Sequence, residues 1–160
     1  MAVWFRFFEV ASLGIWVGAA FFVGVLLAPG AFALLPTREL AGSVVGMALT
    51  RLHWLACACG VIYLASRFAL AKGGAAFWKG APILVIVMLL LTLASHHIIT
   101  PRLQGLRAQM AADHGSIDAT PKDSPLRQQF GALHGVSSTA ALLGLLLGVT
   151  ALFLTVRNHP

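Results

Sequence analysis

Apolar residues occur in four long runs along this chain, and short polar or turn-forming stretches separate them. The runs predict helices over about residues 3–28, 44–71, 81–100 and 126–156. Each is close to or above the roughly 20 residues that a helix needs to cross a bilayer. The pattern therefore predicts an all-α, integral membrane four-helix bundle that forms one domain over residues 1–160. An even number of spans puts both termini on the same side of the membrane.

The breaks between the runs carry proline, glycine or capping residues, which end helices. They are Ala28-Pro29-Gly30, Lys72-Gly73-Gly74, Thr100-Pro101 and Ser124-Pro125. The last pair is typical of an N-cap followed by proline at the first helical position. A polar loop is expected over about residues 102–125. Its first part either continues the third helix or lies along the interface, and Asp113 to Pro125 is expected to be irregular and the most mobile part of the chain.

Composition supports a membrane protein and narrows its partners. Hydrophobic residues make up 59% of the chain and charged residues 10%, and the mean hydropathy is +0.87. The net charge of +6 comes from bases scattered over loops and termini, so we interpret it as a topological signal and not as a nucleic-acid surface. The first run is too long for a cleaved signal, and Glu9 interrupts it. The charge distribution favours cytoplasmic termini. We expect the membrane to be a bacterial inner membrane.

Small residues four apart occur in two of the predicted spans. They are Gly14 and Gly18 in the first span and Gly144 and Gly148 in the fourth. This spacing lets helix backbones approach closely, either within one subunit or between subunits of a homo-oligomer. The sequence leaves both arrangements open.

Four histidines lie near the membrane side opposite the termini. His53 follows Ser43 by ten residues and His134 follows Ser124 by ten, so two parallel helices would hold these rings at similar depth. His96 and His97 are adjacent and differ by about 100° around their helix, so only one can face the bundle axis. Ionisable side chains inside a span are costly unless they have a partner, which makes these rings candidates for a site.

Two kinds of cofactor fit such a set of rings. Two imidazoles from different helices can ligate a b-type haem, and His134, His53, His97 and His96 are the candidate ligands. Three imidazoles, or imidazole with thiolate, suit copper or zinc, and His53, His134, His97 and Cys57 are the candidates. His53 and Cys57 share one helix face. Alternatively, hydrogen bonds within the bundle satisfy each ring, and Cys57 is a packing residue.

Three patches of sequence resemble a known family. They are Gly14-Ile15-Trp16-Val17-Gly18 through Phe21-Phe22 to Pro29 and Phe32, Ile99-Thr100-Pro101 through Leu106-Arg107, and Phe130 through His134-Gly135 to Ser137-Ser138. The chain resembles the four-helix family of transmembrane protein 205, in bacteria the domain of unknown function 4149, which is distantly similar to the copper-resistance D membrane proteins. Ala141-Leu142 stands where the family pattern has Asn-Leu. The resemblance implies a small integral membrane protein with a loose link to metal resistance, and it supplies no catalytic residues.

Three functions are therefore open. The first is a haem-binding protein that transfers electrons or senses redox state, with a quinone or a redox protein as its partner. The second is a copper or transition-metal handling protein, and the third is a scaffold subunit without a ligand. No phosphate-binding glycine loop, carboxylate pair within a span or partnered nucleophile occurs, so the sequence gives no indication of an enzyme.

Overall fold

Four long helices dominate the computed structural model, which describes residues 1–71, 74–78 and 80–157. They are α1 (Ala2–Leu34), α2 (Arg38–Leu70), α3 (Pro82–His114) and α4 (Pro125–Arg157). A single helical turn, Gly74–Phe77, lies between α2 and α3. Each long helix has 33 residues, or roughly 50 Å of axis, and each is apolar enough to cross a membrane. The predicted all-α membrane bundle is confirmed, and the protein is an integral membrane protein.

Two prolines lie inside helices that were predicted to break at them. α1 passes through Pro29 and α3 passes through Pro101, and a π-helical segment precedes each, Phe22–Leu27 and Ser95–Ile99. Proline has no N–H to donate and its ring crowds the carbonyl four residues earlier. A wider π turn accommodates that missing bond without ending the helix. The predicted ends near residues 28 and 100 are therefore too early.

The helix ends have local causes. α2 begins at Arg38, six residues before the predicted start, because the side chain of Thr37 caps it and accepts a hydrogen bond from the Leu40 amide at 3.1 Å. α3 continues to His114, which is one of the two arrangements that the sequence left open. The helix ends there because Gly115 follows, and glycine adopts a φ of 79° without strain. The predicted break at Lys72-Gly73-Gly74 falls partly outside the described residues.

The loop between α3 and α4 is irregular but in contact with the bundle. Ile117 and Thr120 are buried in it, and the Arg127 guanidinium donates to the carbonyls of both residues. Asp118 accepts a hydrogen bond from the Arg38 amide at 3.1 Å. These contacts connect the loop to the first turns of α2 and α4. Its mobility stays a prediction.

The hydrophobic core lies where all four helices meet. Its buried residues are Leu13, Trp16, Ala56, Cys59, Tyr63, Ala81, Val85, Met88 and Ala151. Two glycines allow close approach there, since a Cβ on Gly60 would lie 2.6 Å from Leu89 Cδ2 and one on Gly148 would lie 2.7 Å from Val17 Cγ2. A Cβ on Gly14, Gly18 or Gly144 would meet no described atom within 4 Å. Gly148 therefore packs within the subunit, and a homo-oligomer through the other three glycines stays a prediction.

A layer of polar side chains lies buried at the end of the bundle that holds both termini. Glu9 is completely buried, and its Oε1 lies 3.9 Å from Nη1 of Arg67. Arg67 also donates to the carbonyls of Ala76 and Phe77, at 3.0 and 3.3 Å. Beside them, the Tyr63 hydroxyl lies 3.1 Å from Thr155 Oγ1. We call Glu9, Tyr63, Arg67 and Thr155 the terminal polar layer.

Candidate functional site

His53 and His96 face each other across the seam between α2 and α3. Their Nδ1 atoms are 3.3 Å apart, and their ring centroids are 5.3 Å apart at 74°. Both side chains are half-buried. Of the adjacent histidines, His96 therefore faces α2, whereas His97 is exposed, although sequence reasoning placed His97 and not His96 among the metal ligands. We call His53 and His96 the histidine pair.

The backbone around the histidine pair is irregular on one side. His96 and His97 lie in the π-helical segment Ser95–Ile99, which shortly precedes Pro101. π turns occur frequently at functional sites, because they change the direction of a side chain without ending a helix. Aromatic rings surround His96, with Trp54 at 5.8 Å and His97 at 4.8 Å between centroids.

His134 lies at a different depth from the histidine pair. Its ring is exposed and stacks on Phe130, with centroids 6.0 Å apart and the planes 3° from parallel. The Arg107 side chain contacts both Phe130 and Gly42, so these two residues lie at one level on the parallel helices α4 and α2. His53 follows Gly42 by 11 residues, whereas His134 follows Phe130 by four. The two rings are therefore roughly 10 Å apart along the bundle.

The equal depth predicted for these rings thus differs from the structure. The prediction counted from Ser43 as the start of α2, but the cap at Thr37 starts that helix six residues earlier. Among the described residues, the ring contact of His134 is with Phe130 and not with the other histidines. The structure brings His53 and His96 together, with His97 beside them, and leaves His134 on a separate surface.

Sequence reasoning missed the role of Arg107 at that surface. Its guanidinium carbon lies 5.4 Å from the centroid of Phe130, and a Cβ on Gly42 would lie 2.7 Å from its Nη2. Arg107 and Phe130 belong to separate patches of the family resemblance, and the fold puts them in contact. The sequence did contain one signal for this residue. Arg107 follows the third apolar span closely, on a segment that could continue the helix.

The two cysteines occupy different environments. Cys59 is buried in the core, where it packs as a small apolar residue. Cys57 is half-buried and lies one helical turn after His53. Cys57 therefore lies on the same face of α2 as His53.

The distance within the histidine pair limits what it can bind. Metal–imidazole bonds are about 2.0–2.1 Å long, so His53 and His96, with nitrogens 3.3 Å apart, are close enough that both could hold one metal ion. Nitrogens this close leave no room for a haem between them. Within residues 1–71, 74–78 and 80–157, no group of three or more His, Cys, Asp or Glu side chains is arranged to hold a metal ion. The histidine pair therefore offers two nitrogen donors.

Comparison with known proteins identifies the family. A family model described as a domain of unknown function, DUF4149, matches residues 11–112, which include the histidine pair, Cys57 and Arg107 but not His134. No curated protein and no solved structure matches the chain. The match covers more than half of the sequence, and the chain belongs to the DUF4149 family of domains of unknown function.

Proposed function

We propose that this protein handles a transition-metal ion within the membrane, and that copper is the ion that its histidine pair binds. The observation that carries the proposal is the 3.3 Å separation of the two Nδ1 atoms on different transmembrane helices. Without a metal, one Nδ1–H donates to the other Nδ1. With a metal, both Nδ1 atoms present lone pairs and each ring carries its remaining proton on Nε2.

The donor set favours copper over other divalent ions. Imidazole suits copper, zinc, iron and nickel, and among divalent ions copper binds such sites most tightly. Thiolate favours Cu(I), and a side-chain rotation of Cys57 or His97 can supply a further ligand. Two ligands fixed between helices, with the other positions exchangeable, suit an ion that is taken up and passed on. A structural zinc site, in contrast, is closed by four protein ligands.

Haem b remains the second candidate. Two half-buried imidazoles from different helices are the observation that favours it. His53 and His96 would hold the haem through their imidazole nitrogens, and α2 and α3 would have to separate to admit it between the two rings. The resulting protein would transfer electrons to a quinone or a redox protein.

The membrane setting of the proposal follows from the charge distribution and the family resemblance. We place the protein in a bacterial inner membrane with cytoplasmic termini, so that the Arg107 end of the bundle lies outside the cytoplasm. The resemblance to transmembrane protein 205 and, more distantly, to the copper-resistance D membrane proteins supports a role in metal resistance. A homo-oligomer through Gly14 and Gly18, which are exposed, is part of this proposal.

Competition between detergent-purified protein and a Cu(I) chelator tests the proposal. We expect wild-type protein to bind one copper ion. We expect His53→Ala and His96→Ala to weaken binding at least tenfold, because loss of an outer-shell partner alone costs roughly 10–100-fold. His134→Ala is the matched control, because it removes an imidazole about 10 Å nearer to the Arg107 end of the bundle than His53. The visible spectrum of protein expressed with ample haem tests the second candidate through its Soret band.

Each result has a defined meaning. Copper binding that depends on His53 and His96 but not on His134 supports the metal-handling function. A Soret band that the same two substitutions remove supports haem instead. The proposal fails if neither ligand binds, or if His134→Ala weakens binding as much as the other two substitutions. The hydrogen bond between His53 and His96 would then have a structural role in a scaffold protein.

A further inference from the structure

A small polar cavity lies between the first turns of α2 and the last turns of α3. Its volume is about 230 Å³, less than the roughly 300–1,000 Å³ of pockets for drug-sized ligands. The lining residues are Glu39, Ser43, Gln104, Arg107, Ala108, Ala111 and Ile117. We call it the arginine pocket. Its size suits a small charged group.

Arg107 lines this pocket and carries one donor without a partner. Its side chain is half-buried, and its Nε is inaccessible to solvent and finds no hydrogen-bond partner among the described residues. A buried N–H without an acceptor costs free energy, and the cost is larger when the group is charged. The guanidinium packs over the Phe130 ring, and Gly42, which has no side chain, leaves room for it. The guanidinium also carries two Nη groups, and an oxyanion in the cavity that Arg107 lines would accept hydrogen bonds from them.

Glu39 disfavours a simple anion in this pocket. Its carboxylate lines the same cavity and its charge acts on Arg107, yet within the described residues the two side chains form no ion pair. A lone phosphate would meet both an attractive cation and a repulsive carboxylate. A ligand that carries a phosphate and an ammonium group would meet a partner at each end, and Ser43 and Gln104 offer further polar atoms.

The pocket lies at the depth of lipid headgroups. α3 is apolar from Pro82 to Pro101, which is 20 residues and about the thickness of the hydrocarbon core. Arg107 follows Pro101 by six residues, roughly 9 Å further along the helix axis. The headgroup region adds several ångströms to each side of the hydrocarbon core. The pocket therefore opens where phosphates and amines of lipids are concentrated.

We propose that the arginine pocket binds a phosphate joined to a primary amine, the group that phosphatidylethanolamine presents at the membrane surface. Arg107 donates to the phosphate oxygens, and Glu39 accepts from the ammonium group. This site is separate from the histidine pair, since His53 follows Gly42 by 11 residues. Its occupancy does not depend on the proposed metal function.

Native mass spectrometry of the detergent-purified full-length protein, titrated with lipids, tests the proposal. We expect phosphatidylethanolamine to bind more tightly than phosphatidylglycerol or phosphatidylcholine. Arg107→Gln should weaken phosphatidylethanolamine binding roughly 10- to 100-fold, the effect of losing a charge-assisted hydrogen bond. Arg102→Gln is the matched control, because Arg102 is exposed on the same helix and outside the pocket. Free phosphoethanolamine, titrated in the same way, separates a soluble ligand from a lipid by comparison of the two affinities.

Glu39→Gln gives a second test that does not alter the half-buried arginine. Removing the carboxylate should change the preference from phosphatidylethanolamine to anionic phosphatidylglycerol, because the repulsion of a lone phosphate is lost. Tighter binding of free phosphoethanolamine than of phosphatidylethanolamine identifies a soluble ligand of the same chemistry, and the reverse order identifies the lipid. Equal binding of the three lipids by wild-type protein would overturn the proposal. So would equal losses in Arg107→Gln and Arg102→Gln, or an unchanged preference in Glu39→Gln.

Discussion

The two ends of this bundle differ in how far their polar and charged side chains are buried. At the end that holds the termini, Glu9 is completely buried beside Arg67, and the Tyr63 hydroxyl bonds to Thr155 in the same layer. Toward the other end, Arg107 borders a cavity of about 230 Å³ and the His134 ring is exposed. The histidine pair lies between these regions and is half-buried.

This difference separates polar groups that stabilise the fold from polar groups that can bind. A buried charge needs protein partners, and removing one partner is strongly destabilising. A half-buried donor that borders a cavity can instead take its partner from outside the protein. We therefore expect substitutions in the terminal polar layer to affect stability, and substitutions at the histidine pair and the arginine pocket to affect binding.

The largest stability effect is expected for Glu9→Ala. This substitution leaves the guanidinium of Arg67, whose side chain is only 17% exposed, without the neighbouring carboxylate. Breaking a buried ion pair costs about 3–5 kcal/mol, and the lower figure applies here because Arg67 keeps its bonds to two carbonyls. Unfolding in mild detergent measures the change. Arg6→Ala, at an exposed position one turn earlier on α1, should change stability by less than about 0.5 kcal/mol. Equal losses of stability in Glu9→Ala and Arg6→Ala would contradict the view that the buried polar side chains at this end stabilise the fold.

A smaller loss is expected for Gly60→Ala. The added methyl carbon would lie 2.6–2.9 Å from three carbons of Leu89, so the whole side chain must move. Such overpacking typically costs about 1–3 kcal/mol. Gly135→Ala is the matched control, because a Cβ there meets no described atom within 4 Å and alanine favours the helix. The same unfolding assay should find Gly60→Ala destabilised and Gly135→Ala unchanged or slightly stabilised. The reverse order would mean that the helices do not pack as described.

The smallest effect is expected for Tyr63→Phe. Thr155 Oγ1 already donates to the Ala151 carbonyl at 2.8 Å, so the Tyr63 hydroxyl is the donor in its bond to Thr155. Its loss should cost about 1 kcal/mol. Thr150→Val is the control, because the Thr150 hydroxyl bonds within its own helix at an exposed position. A loss in Thr150→Val as large as that in Tyr63→Phe would contradict the importance of the buried layer.

Sequence patterns predicted the number and the type of the helices, because the apolar runs were long enough to identify a membrane protein. They misplaced the ends at Pro29 and Pro101, since local proline rules do not foresee that a π turn can absorb the missing hydrogen bond. The cap at Thr37 was missed, and that error carried over to the depth of His53. In each case two local signals compete for the position of a helix end, and the sequence pattern alone does not show which one prevails.

The histidine pair was predictable only in part. The candidate residues could be named, because imidazoles inside apolar spans are uncommon. Which of His96 and His97 faces α2 depends on the π segment and on the register of two antiparallel helices, and neither is encoded in a local pattern. Glu9 was noted only as an interruption of an apolar run. Its proximity to Arg67 is a tertiary contact between α1 and α2.

X-ray absorption spectroscopy of copper-loaded protein tests the central claim most directly, because it reports the ligands of the bound ion. The account predicts at least two imidazole nitrogens at about 2.0 Å from copper in wild-type protein. In His53→Ala/His96→Ala protein this imidazole signal should be lost, and in His134→Ala it should be unchanged. Copper that binds without imidazole ligands, or an imidazole signal that survives in the double variant, would contradict the assignment of the histidine pair as the metal site.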